Sequence, residues 1–207
     1  MARKTRQSLA RSPNRREPAP VVLIVTEGTK TEPQYFRGLK SARRLSGVKI
    51  SFETGVTDPM SLVKTAIAKR NLLDGASYDA VWCVFDTETP PSPNLDEALA
   101  LARSERLQVA RSNPCFEIWL LMHFADQRGM LTNRQVEALA DDCPGYRNKG
   151  VEFAKFDPTV SDAIVRAYEL ERLHQSDGRN CPDDNPSSSV AHLVASLLGY
   201  ASAQKIR

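Results

Sequence analysis

Two uninterrupted apolar runs, Val21-Val22-Leu23-Ile24-Val25 and Ala80-Val81-Trp82-Cys83-Val84-Phe85, leave this chain few folds to adopt. A strand wetted on one face alternates apolar and polar residues, whereas a strand apolar throughout must be covered on both faces, as in the centre of a parallel sheet. Each run leads into a polar turn and then a helical pattern. After the first, Tyr35, Phe36, Leu39 and Ala42 share one helical face, with Thr31 placed as N-cap. Val48, Ile50 and Phe52 alternate with Lys49 and Ser51 as a second strand, and residues 62–73 carry a helical stripe through Val63, Ile67 and Leu72. Residues 94–104 read as a helix behind the second run, and residues 107–110 as a fourth strand. Strands at 21–26, 48–53, 80–86 and 107–111 separated by helices imply crossover connections and a largely parallel sheet, so the class is α/β.

Beyond Arg111 the alternation stops. Residues 116–124, 133–141, 160–174 and 187–203 look helical, with Ser187, Ser188 and Ser189 as N-cap candidates for the last helix. Residues 145–150 and 176–186 read as loops, and no fifth apolar strand stands out. The expected division is a basic arm over 1–19, an α/β core over 20–111, and a mainly helical extension over 112–207 packed on that core.

Composition excludes several functions. No run approaches the roughly eighteen apolar residues of a membrane span, and the basic N-terminus lacks the apolar stretch of a secretory signal. The expected location is the cytoplasm, with no membrane partner. Cys83, Cys115, Cys143 and Cys181 lack zinc or redox-pair spacing and read as reduced thiols; His123, His174 and His192 share no ligand spacing. Within the first nineteen residues Arg3, Lys4, Arg6, Arg11, Arg15 and Arg16 face only Glu17, which leaves the remainder slightly acidic. Such an arm either tracks phosphates by counterion release or serves as a solvated tail.

In a parallel sheet, ligands gather outside the C-terminal ends of the strands. Glu27 and Asp86 stand at two such ends, with Glu32 in the first helical turn and Glu88 two residues beyond Asp86. Four carboxylates brought together repel one another unless cations neutralise them, and hard oxygen donors suit Mg²⁺ or Mn²⁺. The plainer alternative is that Glu32 caps its helix while Asp86 and Glu88 solvate a turn. Further along, Glu117 could complete a metal shell or orient water, and His123 could meet phosphate or move a proton. Lys30, Arg111 and Asn113 are candidate phosphate contacts at neighbouring strand ends. For each of these, local pairing or packing is the competing role.

Val25-Thr26-Glu27-Gly28-Thr29-Lys30-Thr31-Glu32 with Tyr35-Phe36, then Phe85-Asp86-Thr87-Glu88, resembles the RloB-like proteins. Ser112-Asn113-Pro114-Cys115-Phe116-Glu117-Ile118-Trp119-Leu120 with His123-Phe124, and Asn185-Pro186-Ser187-Ser188 with Val190, extend the likeness. The resemblance implies a Toprim-like α/β fold related to topoisomerases, primases and OLD-type nucleases. In those relatives a Glu after the first strand and an Asp-x-Asp after a later one bind Mg²⁺. Glu27 and Asp86 match; Glu88 departs from the second Asp. The resemblance also implies an AAA-type ATPase partner in anti-phage and abortive-infection systems.

The leading expectation is a metal-dependent nuclease acting on DNA or RNA, tRNA included. A module that binds nucleic acid or an ATPase without turnover is the alternative, and self-association stays open. Topoisomerase or primase chemistry would need a nucleophilic tyrosine domain or a zinc module, and neither is visible. The sharpest geometric expectation is that Glu27, Asp86 and Glu88 converge, with Glu32 nearby.

Overall fold

In the computed structural model, residues 20–52, 58–72, 77–88 and 90–205 are described. In chain order the elements are β1 (Val22–Thr26), α1 (Thr31–Arg43), β2 (Val48–Phe52), α2 (Pro59–Asn71), β3 (Ala80–Asp86), α3 (Leu95–Ser104) and β4 (Gln108–Asn113). There follow α4 (Glu117–Met122), α5 (Asn133–Ala140), a small hairpin of β5 (Tyr146–Arg147) and β6 (Gly150–Val151), two short 3-10 turns (Phe153–Lys155 and Asp157–Thr159), α6 (Val160–Ser176), β7 (Ser187–Ser188) and α7 (Val190–Lys205). The protein is an α/β structure with a five-stranded, mostly parallel sheet of order β2-β1-β3-β4-β7. That arrangement is consistent with a Toprim-like fold. The basic arm, residues 1–19, lies outside the described residues.

The apolar runs are buried on both faces because alternate residues feed two cores. Val22, Ile24, Trp82, Val84 and Ala110 face α1 and α4–α7; Leu23, Val25, Val81, Cys83 and Phe85 face α2 and α3. This split follows from connection order. The chain steps from β1 outward to β2, then reverses to place β3 on the other side of β1. Crossovers of one hand put helices on opposite faces when the direction of travel reverses. The reversal creates a crevice between the C-terminal ends of β1 and β3, where open α/β sheets bind ligands.

Several local signals differ from expectation. Thr31 is the first helical residue rather than the N-cap; the cap is Lys30, with no side-chain bond. Asp58 starts α2 instead, accepting from the Ser61 N–H at 3.0 Å ahead of Pro59. Leu72 ends the stripe outside the helix and is 76% exposed, its burial role taken by Leu62 and Ala66.

A fifth strand, unforeseen from sequence, comes from the C-terminal half. Ser187 and Ser188 do not cap the last helix; they pair antiparallel with Asn113 and Ser112, and the Ser112 and Ser188 hydroxyls meet at 3.1 Å. Ser189 bonds the Arg111 backbone at 2.8 Å. The face of the sheet under α1 is thus closed by α4, α6 and α7 in one continuous hydrophobic cluster.

Close approach of α1 to the first 3-10 turn depends on Gly38, where an added Cβ would overlap the Cβ and Cγ of Phe153. Those atoms are rigid and Phe153 is buried, so Gly38→Ala should cost about 1–3 kcal/mol by overpacking despite its gain in helix propensity. Urea unfolding reads this directly; an unchanged or raised midpoint would disprove it.

Candidate functional site

The polar turns beyond β1 and β3 form the floor of a cleft of about 500 Å³. Hydrogen bonding continues past the strand ends and fixes those turns. The Glu27 N–H bonds Val84 O at 3.1 Å, Thr87 N–H bonds Ser112 O at 2.7 Å, and Glu88 N–H bonds Pro114 O at 3.0 Å. Glu88 is held at φ 60°, a left-handed conformation costly for a residue with a Cβ and concentrated at functional sites. On the other side, Gly28 lets the Glu32 carboxylate lie against the chain; a Cβ there would collide with both Glu32 oxygens.

Six carboxylates and two lysines line this cleft: Glu27, Glu32, Asp86, Glu88, Glu117 and Glu137 with Lys30 and Lys149. Glu27, Glu32, Asp86 and Glu88 therefore share one space, and Glu117 joins them from the start of α4. Glu117 is 6% exposed, and its Oε1 accepts from Tyr146 Oη at 2.9 Å and Thr31 Oγ1 at 3.3 Å. Crowding shows in the acidities. Burial, followed by repulsion from Glu32, Glu117, Glu27 and Glu88, raises the Asp86 carboxyl well above its ordinary range. Burial raises Glu27 as well, opposed by the Asp86 backbone N–H and reinforced by Glu88. Burial and the charges of Glu117 and Glu27 push Glu32 up to about 7, against the bond from its own N–H and the nearby Lys149.

A carboxyl held at about 7 rather than 4.5 favours the protonated form when folded, so its contribution to stability is intact below 4.5 and lost as pH rises through 7. Asp86 shifts the same way. Glu32→Gln, which imitates the protonated acid, should stabilise the metal-free protein in EDTA at about pH 8 by roughly 1–3 kcal/mol in urea. The difference should vanish near pH 4. Equal stability of the two proteins at both pH values would show that Glu32 feels no crowding.

Three candidates from the sequence fall outside the cleft lining. His123 is a correction: it is 1% exposed, sits among Tyr35, Trp119 and Phe156, and cannot reach a phosphate. Tyr35 Oη donates to its Nε2 at 3.1 Å while Nδ1–H donates to Phe156 O at 3.1 Å, and burial lowers its pKa to about 3. The ring stays neutral and ties α1 to α4. Arg111 and Asn113 are likewise committed elsewhere. Arg111 forms a short ion pair with Asp184, and Asn113 Nδ2 donates to Asp184 Oδ1 at 3.0 Å and Pro182 O at 2.8 Å. Burial raises the Asp184 carboxyl, but Arg111, Asn113 and Ser187 together hold it below its ordinary range. The network anchors the C-terminal loop to β4. Lys30 alone of the four proposed phosphate contacts lies on the cleft.

Sequence reasoning missed Asn133, Glu137 and Lys149, which line the cleft from α5 and the β5–β6 hairpin, and Tyr146, which holds Glu117 from the same hairpin. Residues 145–150 read as a loop because each strand is two residues long and the turn, Asn148-Lys149, lacks the glycine that advertises a hairpin.

Whether these residues suit a divalent ion turns on donor chemistry and arrangement. The donors are oxygens, and the one nearby thiol, Cys115, is pushed far up by burial and by Asp86 and Glu117, so it stays protonated. An oxygen-only set of crowded carboxylates fits Mg²⁺ or Mn²⁺. Among the described residues, no three His, Cys, Asp or Glu side chains stand as a formed ligand set. Glu117 is held by two hydroxyls and Glu32 lies back against Gly28, so binding an ion requires side-chain adjustment on a fixed backbone. Among the described residues no helix is long and apolar enough to cross a membrane.

The chain matches the model of the RloB-like protein family over residues 22–197, a span reaching from the first residue of β1 into α7 and containing every acid of the cleft. No curated protein and no solved structure matches it. Since the match covers most of the sequence, the chain belongs to the RloB-like protein family.

Proposed function

We propose that the protein is a metal-dependent phosphodiesterase that cleaves nucleic acid at the acidic cleft. One observation carries this reading: Glu27, Glu32, Asp86, Glu88 and Glu117 crowd one crevice at the switch point of a parallel sheet, where burial and then mutual repulsion raise the pKa values of Asp86 and Glu32. Crowding of this kind is unfavourable in isolation and becomes favourable when a cation is bound. Against six carboxylates, two lysines do not make the cleft attractive to a phosphate, so substrate approach also depends on added positive charge.

Glu27, Asp86 and Glu88 would hold Mg²⁺ or Mn²⁺, with Glu32 and Glu117 completing its surroundings. When bound, such an ion supplies charge neutralisation at the phosphate and lowers the pKa of water. The chain's own residues do the rest. Glu117, positioned by Tyr146 and Thr31, orients water and accepts its proton. The stiff turn at Glu88 keeps its arm at the rim, and Lys30 meets the phosphate from the turn after β1. We further propose an AAA-type ATPase partner and an anti-phage role, as the resemblance to the RloB-like proteins implies, which co-purification with such an ATPase would test.

Incubation with plasmid, single-stranded DNA and total tRNA, in Mg²⁺, Mn²⁺ or EDTA and with or without that ATPase, decides the matter. Cutting that requires the ion supports the reading. A second reading, a binding module without turnover, draws on the lack of a formed ligand set among the described residues. It predicts retention of nucleic acid or ATPase under all conditions with no cleavage.

A further inference from the structure

The hairpin above the cleft is held more firmly than a surface turn needs. Both residues of its tip are left-handed, Asn148 at φ 51° and Lys149 at φ 62°. Asn tolerates that region, but Lys at the second position occupies a place that Gly fills without strain. Three bonds to other elements fix the conformation. Thr31 Oγ1 shares its one proton between Lys149 O and Glu117 Oε1, each at 3.3 Å, Val151 N–H donates to Gln34 Oε1 at 2.8 Å, and Tyr146 Oη donates to Glu117 at 2.9 Å. Thr31 and Glu117 belong to the floor of the same cleft. The residue so presented, Lys149, has a loose partner: its Nζ lies 3.8 Å from Glu137, and the two side chains are 62% and 48% exposed. An exposed, distant pair does not account for a strained backbone fixed at three points.

We propose that Lys149 is a substrate-contacting residue, its ammonium binding a non-bridging phosphate oxygen of nucleic acid brought to the acidic cleft. The inference rests on the phosphodiesterase reading and adds the residue that gives the cleft's far wall its grip. Lys30 and Lys149 both line the cleft, one on the turn after β1 and one on the hairpin, and the contact of Thr31 with the Lys149 carbonyl holds the two segments together, so a phosphate entering there meets cations from two elements. Flexing of the lysine stem exchanges Glu137 for phosphate without moving the hairpin.

The test is equilibrium binding of a fluorescein-labelled single-stranded DNA, and of RNA with the same sequence, by the full chain in Ca²⁺ across a salt series. Lys149→Gly is the informative variant, because glycine suits the left-handed position and keeps the hairpin while removing the amine. Lys149→Gly and Lys149→Ala should weaken binding about tenfold and reduce the salt slope by about 1, as loss of one phosphate contact does. Lys149→Arg should stay within about threefold of wild type with an unchanged slope. Wild-type affinity and slope in Lys149→Gly would overturn the proposal alone. Failure of Lys149→Arg to restore binding would overturn the cationic role. If the wild-type chain binds neither probe, the nucleic-acid reading itself is wrong, and this inference falls with it.

Discussion

Replacing Glu27 or Asp86 with Ala should lower ion-dependent cleavage by about 10³-fold while the chain stays folded. Glu27 follows β1 and Asp86 ends β3, and the ladders of both strands are made by main-chain atoms; truncating Glu27 loses only its bond from the Asp86 N–H, so the sheet stays intact. Removing either acid also relieves the repulsion that raises its neighbours, and the metal-free variants should unfold at equal or higher urea than wild type at neutral pH. The two readouts separate a catalytic loss from a folding loss. Glu88→Asp belongs to the same series: Asp tolerates the left-handed conformation at least as well as Glu, and the shorter arm should keep part of the rate. Time courses on the substrate identified in the ion-dependence experiment measure all three. Wild-type rates in Glu27→Ala and Asp86→Ala would end the phosphodiesterase reading and favour the binding module.

Arg111→Ala should destabilise the protein by roughly 3–5 kcal/mol, the largest loss expected from a single side chain outside the cores. Arg111 and Asp184 are 16% and 10% exposed in their side chains, and the ion pair is satisfied by Asn113 and Ser187. Truncating the arginine leaves Asp184 buried and charged with only neutral donors. Removing both partners should cost less than the sum of the single changes, since no orphaned charge remains. A double-mutant cycle in urea measures this; strict additivity would mean that the pair is not coupled.

Positions 22–113 were legible because the four parallel strands are written as apolar runs or alternation, and their order of appearance carries the topology. Glu27 and Asp86 were legible for the same reason: strand ends define the rim. β7 was not, because Ser187 and Ser188 have no strand pattern of their own and pair only because Ser112 and Asn113 offer an edge. Glu117 was visible as an acid, but its fixed orientation depends on Tyr146, twenty-nine residues further on. His123 looked reactive in the linear sequence because the residues that bury it, Tyr35 and Phe156, arrive from α1 and from between the two 3-10 turns. Lys149 carried no local mark at all. Its position follows from a two-residue turn anchored by Thr31 and Gln34, which lie more than a hundred residues earlier.

The pairing of β7 with β4 also governs how the chain can be made. β4 emerges during synthesis with its outer edge bare, and the segment that covers the end of that edge follows some seventy residues later, after α4, α5 and α6. Until then the nascent protein exposes unpaired backbone beside a hydrophobic sheet face, a template for association with other chains. A product halted between α5 and Asp184 keeps every acid of the cleft but lacks Asp184 to neutralise Arg111 and α7 to close the core. Premature termination in that interval therefore yields aggregation rather than a shortened, working protein.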